Sequence, residues 1–224
     1  MDSMTSTDII KQYRPLKKGE FFVVGVDTAA GGIDNCVAQF MSKANNDVPL
    51  IYSENITATE MTPKIKTILE KVYDKTGVKP CVAFERNNGG VFEMERLSRL
   101  NKFDKYTMFE MPEYGNKDSE EREPYKIGWE TNAATRPKML SDLKEAIDNH
   151  FIKIYDKSTI EELFSFVIVQ TRSRWKATAD VGKHDDKVMS LAIAYQLYLT
   201  QEPSSNVSLS DLPSENYFDS EGFY

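Results

Sequence analysis

The alternation of apolar and polar positions divides the chain into strand-like runs followed by helical ones. Structure begins at Phe21, where FFVVGVD forms an apolar, β-branched run ending on an acid, and TAAGGIDN after it has the glycines of a turn. NCVAQFMS then sets Cys36, Ala38 and Phe40 against Val37, Gln39 and Met41. After the polar turn KANNDV, PLIYSENI has the same strand character. Three short strands joined by tight turns predict an antiparallel meander. The period next becomes helical: TPKIKTILEKVYDKTG predicts a helix with Thr62 as N-cap and Pro63 at its first position. Ile65, Ile68, Leu69 and Val72 share one face of it, and Gly77 lies just past its end. Residues 79–85 (KPCVAFE) read as a buried strand closing on a second acid, GGVFEMERLSRLN as a helix opened by two glycines, and YTMFE as a short strand.

The second half is mostly helical. PEYGNKDSEEREPYK is a charged loop, and a helix starts near Thr135 (TRPKMLSDLKEAIDN) with Met139, Leu140, Leu143, Ala146 and Ile147 on one side. Ser158 and Glu161 have capping-box spacing for a short helix. FSFVIVQ is a further strand candidate, RSRWKATAD a polar hairpin or loop, and DDKVMSLAIAYQLYLT a long final helix. The order βββ-α-β-α-β, then mostly α, predicts an α/β fold with a mixed central sheet. Residues 1–20 read as an N-terminal arm or linker and 21–200 as one domain. Residues 201–224, with five acids and neither Lys nor Arg, read as a flexible tail.

Composition narrows the chemistry. A chain of 224 residues buries a core without disulfide or metal staples. No run approaches the roughly 18 apolar residues of a membrane span, and the start has no signal pattern, so neither membrane insertion nor secretion is expected. Cys36 and Cys81 sit in apolar runs and read as reduced core thiols. The only Gly-Lys pair continues as Gly182-Lys183-His184, so no phosphate loop of the G-x-x-x-x-G-K-[ST] type is encoded. Two histidines, His150 and His184, are too few for a His-rich metal site and leave little for Ser-His-Asp catalysis.

Carboxylates remain. Asp27 closes the first strand, Glu85 closes the fourth, and Asp185 and Asp186 open the final helix. If the first and fourth strands lie side by side, their acids project from one sheet edge, and a helix packed across the sheet brings its own acids there. Two hard divalent cations held by such oxygens, about 3.5–4 Å apart, activate water and stabilise the leaving oxygen of a phosphodiester. An acid at a strand end also forms turns, and an Asp at a helix start also caps it, so spacing alone leaves both readings open.

Four strings, VVGVDTAAGG, AFERNNGG, YKIGWETNAATRPKML and GKHDDKVMSLAIAYQ, in this order, resemble the C-terminal nuclease domain of the large terminase subunit of tailed bacteriophages. The resemblance implies a ribonuclease H-like, resolvase-type fold in which a three-strand antiparallel meander and parallel strands form a sheet flanked by helices. It also implies a metal-dependent endonuclease that cuts concatemeric viral DNA during genome packaging, with two Mg²⁺ or Mn²⁺ ions. The family's strand-one Asp falls on Asp27, its strand-four Glu on Glu85, and its helix-start acid on the Asp185-Asp186 pair, both members of which the motif carries. The implied partners are double-stranded DNA, the portal protein, the small terminase subunit and the ATPase domain of the full-length protein, in the cytoplasm of an infected bacterial host. None of the motor motifs occurs, so the chain reads as the nuclease domain alone.

On this reading Arg86 and Asn87, followed by Asn88 and Gly89-Gly90, approach a DNA phosphate, and Arg172, Arg174, Lys176, Lys183 and Lys187 clamp the backbone around Trp175. The plainer alternatives are a strand-to-helix turn and a solvated hairpin face. Trp129 reads as core, and both histidines as packing or capping residues. Three other functions compete: a junction resolvase on the same fold, an actin-like phosphotransferase, and a weakly catalytic docking domain of the packaging machinery. The phosphotransferase would need a second copy of the fold, for which no repeat exists. The docking domain would use the tail aromatics Tyr217, Phe218, Phe223 and Tyr224. A net charge of -7 weighs against DNA binding. However, the tail holds five of those excess charges, and setting the four candidate ligands against cations leaves the body with a basic surplus of two.

Overall fold

The computed structural model describes residues 5–6, 9–29, 34–87, 89–112, 125–170 and 185–203. Asn88, Arg172, Arg174, Trp175, Lys176, Lys183, His184 and the tail aromatics lie outside the described residues. In chain order the elements are β1 (Thr5–Ser6), β2 (Ile10–Gln12), β3 (Phe22–Asp27), β4 (Cys36–Ser42), β5 (Asp47–Glu54), α1 (Ala58–Thr76), β6 (Cys81–Phe84) and α2 (Gly90–Leu100). They continue with β7 (Thr107–Met108), β8 (Glu110–Pro112), β9 (Tyr125–Ile127), α3 (Thr135–Asp148), β10 (Lys153–Ile154), α4 (Lys157–Gln170) and α5 (Asp186–Thr200).

The main sheet runs β1-β2-β5-β4-β3-β6-β7, with β10 also on β5, and β8 and β9 form a separate antiparallel pair. The predicted meander is β3-β4-β5, all antiparallel. From β3 the sheet continues through β6 and β7 in parallel, because α1 and α2 carry the chain back between them. Strand alternation sends Phe22, Val24 and Val26 into a core with α1 and α2, and Val23, Cys81 and Ala83 into one with α3 and α5. Both cysteines are free and buried, in different cores, as expected. Trp129 is a core residue tilted against Phe109.

Several local expectations are corrected. The segment before Phe22 adds strands: β2 pairs with β5, and Arg14 locks it by a two-pronged bond to Asp47 at 2.6 and 2.7 Å. Three residues are too few to show a period. The N-cap of helix α1 lies five residues before the predicted one: it is Thr57, in a capping box with Glu60, so Thr62 and Pro63 lie inside the helix. Proline has no N–H for the Thr59 carbonyl, and Arg96 Nη1 donates to that carbonyl instead at 2.7 Å. FSFVIVQ is the second half of α4, not a strand, because a short apolar run without polar alternation fits either element. The cap of α4 is Asp156, not Ser158: its Oδ2 accepts from the Thr159 N–H at 2.8 Å.

Candidate metal centre

The register of β3 on β6 pairs Val26 with Phe84, so Asp27 and Glu85 are the next residues on two adjacent parallel strands. The Glu85 N–H donates to the Val26 carbonyl at 2.8 Å, which carries the pairing one step further. Alternation places both acids on the same face as Val23 and Ala83, the face that α5 covers. Gly25 sets how closely α5 approaches. A Cβ on it would lie 2.1 Å from the Ser190 carbonyl oxygen and 2.3 Å from the Ala194 nitrogen. The helix backbone therefore rests directly on β3, with the helix's first turn over the end of the strand.

That first turn is capped from outside. Asp185 occupies the N-cap position but makes no side-chain capping bond. Glu162 of α4 accepts instead from the N–H groups of Lys187 at 2.7 Å and Val188 at 2.9 Å. Burial pushes the Glu162 carboxyl up to about 7, against the pull of those N–H groups and Lys187. Asp185 and Asp186 are thus not the caps of their own helix. Both face a cavity of about 380 Å³, together with Asp27, Glu85, Asn87 and Arg136.

The four acids are not equivalent. Asp27, Glu85 and Asp186 are 8, 7 and 8 % exposed. The side chain of Asp185 is 31 % exposed and lies 2.6 Å from Arg136 Nη2. Asp186 Oδ2 accepts from the Asn35 N–H at 2.9 Å, and Glu85 Oε1 accepts from Asn87 Nδ2 at 3.2 Å. Burial pushes the Asp27 carboxyl well above the ordinary range. The charge of Glu85, a hydrogen bond shared with it, and then the charges of Asp186 and Asp185 push the same way. Among the described residues no group of three or more His, Cys, Asp or Glu is drawn together as a ready ligand cage; the acids line one cavity, with Asp185 turned to Arg136 and Asp186 to Asn35. The donor set suits a hard divalent cation: oxygen only, with the Asp27 carboxyl pushed upward by burial and by its acidic neighbours.

Of the residues expected at DNA, Asn87 reaches the cavity. Arg86 is half-buried, and its guanidinium donates to the Ile127 carbonyl. Lys187 points away: its ammonium is 3.9 Å from Glu162 and borders a different cavity, with Lys11, Ser53 and Asp156. At Gly90 a Cβ would lie 1.7 Å from the Glu85 carbonyl oxygen, so this glycine admits the chain's own backbone. Two residues escaped the sequence reading. Glu162 gave no signal, since its partner is 25 residues away. Arg136 did: it is a cation in the first turn of α3, where the helix dipole disfavours positive charge, so a compensating acid was to be expected.

No protein-family model matches the chain, and no curated protein sequence does. Solved structures do. The large terminase nuclease from thermophilic phage G20c with bound magnesium superposes with a TM-score of 0.64 at 16 % identity, over 88 % of this chain and 90 % of that one. The Thermus phage P74-26 large terminase nuclease domain gives 0.58 at 14 % identity, over 90 % and 92 %. The Mn-soaked, inhibitor-bound human cytomegalovirus terminase nuclease domain gives 0.52 at 11 %, over 79 % and 83 %. The protein therefore has the ribonuclease H-like fold of the terminase nuclease domains, as its four sequence strings imply. No helix among the described residues is long and apolar enough to cross a membrane.

Proposed function

We propose that this protein is a metal-dependent DNA endonuclease of the terminase type, which cuts concatemeric viral DNA during genome packaging. The observation that carries the reading is the convergence of Asp27, Glu85, Asp185 and Asp186 on one cavity at the carboxyl edge of two parallel strands. It stands in a fold shared with terminase nuclease domains solved with magnesium and manganese. Asp27, which feels Glu85 and the helix-start pair alike, would be a ligand for the ions together with Glu85 and with Asp186 or Asp185. When bound, two Mg²⁺ or Mn²⁺ ions would supply an activated water and neutralise the leaving oxygen.

The protein's own residues do the rest. Burial of three of the four acids keeps water from competing for their oxygens, and Asn35 and Asn87 orient two of them. Glu162 satisfies the α5 terminus, so Asp185 and Asp186 stay available to the cavity. Arg136 gives the site a cation that can meet a DNA phosphate. Double-stranded DNA is the partner this chemistry requires; the portal protein, the small terminase subunit and a motor domain are those the terminase reading adds.

Nicking of supercoiled plasmid in Mn²⁺ tests the assignment. Asp27→Asn and Glu85→Gln should each lower the rate by more than about 100-fold, beyond what loss of a metal ligand's outer partner costs. Undiminished nicking by both variants would overturn it. A strong preference for branched over linear DNA would move the protein to the resolvases.

A further inference from the structure

Away from the acid cluster, α3, β10 and α4 border a groove of about 300 Å³. Leu143 and Ile152 are its buried floor, and Ile147, Ile154 and Ile160 are half-buried walls. Phe164 stands at its edge, 66 % exposed. The polar residues of the lining, Lys144, Asp148 and His150, are all exposed, and Lys144 is paired with Asp148. Such a groove grips apolar side chains; a nucleotide or phosphate would need polar groups converging on its floor. Apolar surface gathered in this way marks a site of association.

The chain itself brings an occupant close. Helix α5 ends at Thr200, and Lys43 Nζ then donates to the Gln201 carbonyl at 2.5 Å and to Glu202 Oε1 at 2.7 Å. In the same β4–β5 turn, Asn46 joins the end of α5 to a wall of the groove. Its Oδ1 accepts from the Tyr198 hydroxyl at 2.7 Å, and its carbonyl accepts from the N–H of Lys153, the neighbour of Ile154, at 2.8 Å. The described residues stop at Pro203, so the chain leaves them on the side of β10. Beyond it, residues 217–224 hold Tyr217, Phe218, Phe223 and Tyr224, with Asp219 and Glu221 between the two aromatic pairs. At ~3.3 Å per residue, residues 204–216 reach as far as about 43 Å, which is ample for a groove whose wall adjoins Asn46.

We propose that the groove between α3, β10 and α4 is the docking site of this chain's own residues 217–224, whose aromatic side chains fill it. Phe and Tyr bury a large apolar area, and a Tyr hydroxyl can stay at the wet edge. Attachment makes the encounter intramolecular, at an effective concentration on the order of millimolar, so a modest affinity is enough. Lys153 on β10 and Lys157 on α4, the latter 3.5 Å from Glu161, are exposed cations beside the groove for Asp219 and Glu221. The inference is independent of the metal site.

A nitroxide on the segment tests it. Ser220→Cys puts a thiol between the aromatic pairs, and Cys36 and Cys81 are buried, so the label attaches there alone. In the full chain with ¹³C-labelled isoleucine methyls, the nitroxide should broaden Ile147, Ile152, Ile154 and Ile160 several-fold more than Ile65 and Ile68, which belong to the core on the other face of the sheet. Replacing Tyr217, Phe218, Phe223 and Tyr224 together by Ser should remove the difference, while the same methyl spectrum shows that the domain is folded. Broadening no stronger in the groove than at Ile65 and Ile68 would overturn the proposal, as would a difference that survives the four substitutions. Equal broadening in a mixture of nitroxide-bearing chains without ¹³C and ¹³C-labelled chains without nitroxide would also overturn it, and would give the groove to a second copy.

Discussion

The N-termini of α1 and α5 each leave backbone N–H groups to be satisfied, and each has an acid in the first turn. At α1, Thr57 and Glu60, three residues apart, cap each other's backbone within a single turn. At α5, Asp185 and Asp186 sit where such a cap would be, yet Glu162 arrives from α4 and takes the N–H groups of Lys187 and Val188. A helix that caps itself uses its polar residues on its own backbone. A helix that imports its cap keeps its acids for a cavity, where their charges push the Asp27 carboxyl upward. An acid at a helix start is therefore a candidate ligand when another residue already does the capping.

That contrast can be broken at several points. The largest effect belongs to Gly25→Ala: the added Cβ collides with the α5 backbone, and the helix must lift from β3. A loss of about 3 kcal/mol in urea unfolding is expected, with loss of Mn²⁺ binding, since α5 carries two of the four acids. Glu162→Ala removes the imported cap and leaves two N–H groups of the first turn without it. It should cost about 2 kcal/mol, while Glu162→Gln, which keeps an acceptor oxygen, should recover most of this in the same measurement.

Asp156, the local cap of α4, supplies a pH test. Burial raises its carboxyl, but hydrogen bonds from Ser158, Tyr13 and Thr159 outweigh that and hold it at about 2, below the ordinary 3.8. The unfolded chain then takes up the proton first as pH falls. The contribution is complete above about pH 3.8 and disappears toward pH 2, about 2 kcal/mol in all. Asp156→Asn should flatten that part of the stability profile. Thr57→Ala, at the self-capped end, should have the smallest effect: about 1 kcal/mol of stability, and no change in Mn²⁺ binding. A change in metal affinity on Thr57→Ala would break the distinction between the two ends.

Legibility in the sequence followed the range of the interactions. The β3-β4-β5 meander, the body of α1, α3 and α5 were readable because period and turn chemistry repeat over many neighbouring residues. Strand β2, the Thr57 start of α1 and the helical state of FSFVIVQ were not. Strand β2 depends on a distant partner, β5; the start of α1 is a local capping box of Thr57 with Glu60, but Pro63 inside the helix hides it, since Arg96 meets the carbonyl that the proline leaves open; and a short apolar run fits strand and helix alike. The site divides in the same way. Asp27, Glu85 and the Asp185-Asp186 pair were legible as acids at element ends, and the structure brings them together. Lys187 was legible as a charge beside them and points elsewhere, because helical phase turns it toward Glu162.

The sequence by itself determined the meander, the bodies of α1, α3 and α5, and which of these elements carry acids at their ends, because hydrophobic period, glycine and capping residues act within a few positions. The four strings also carried the fold. Only the tertiary structure decided that Asp186 is buried while Asp185 is held by Arg136, that Glu162 frees both from capping, and that Gly25 lets α5 approach closely enough to matter. Those are contacts between residues 25 to 169 positions apart. Their strength depends on burial and distance, which a one-dimensional pattern does not contain.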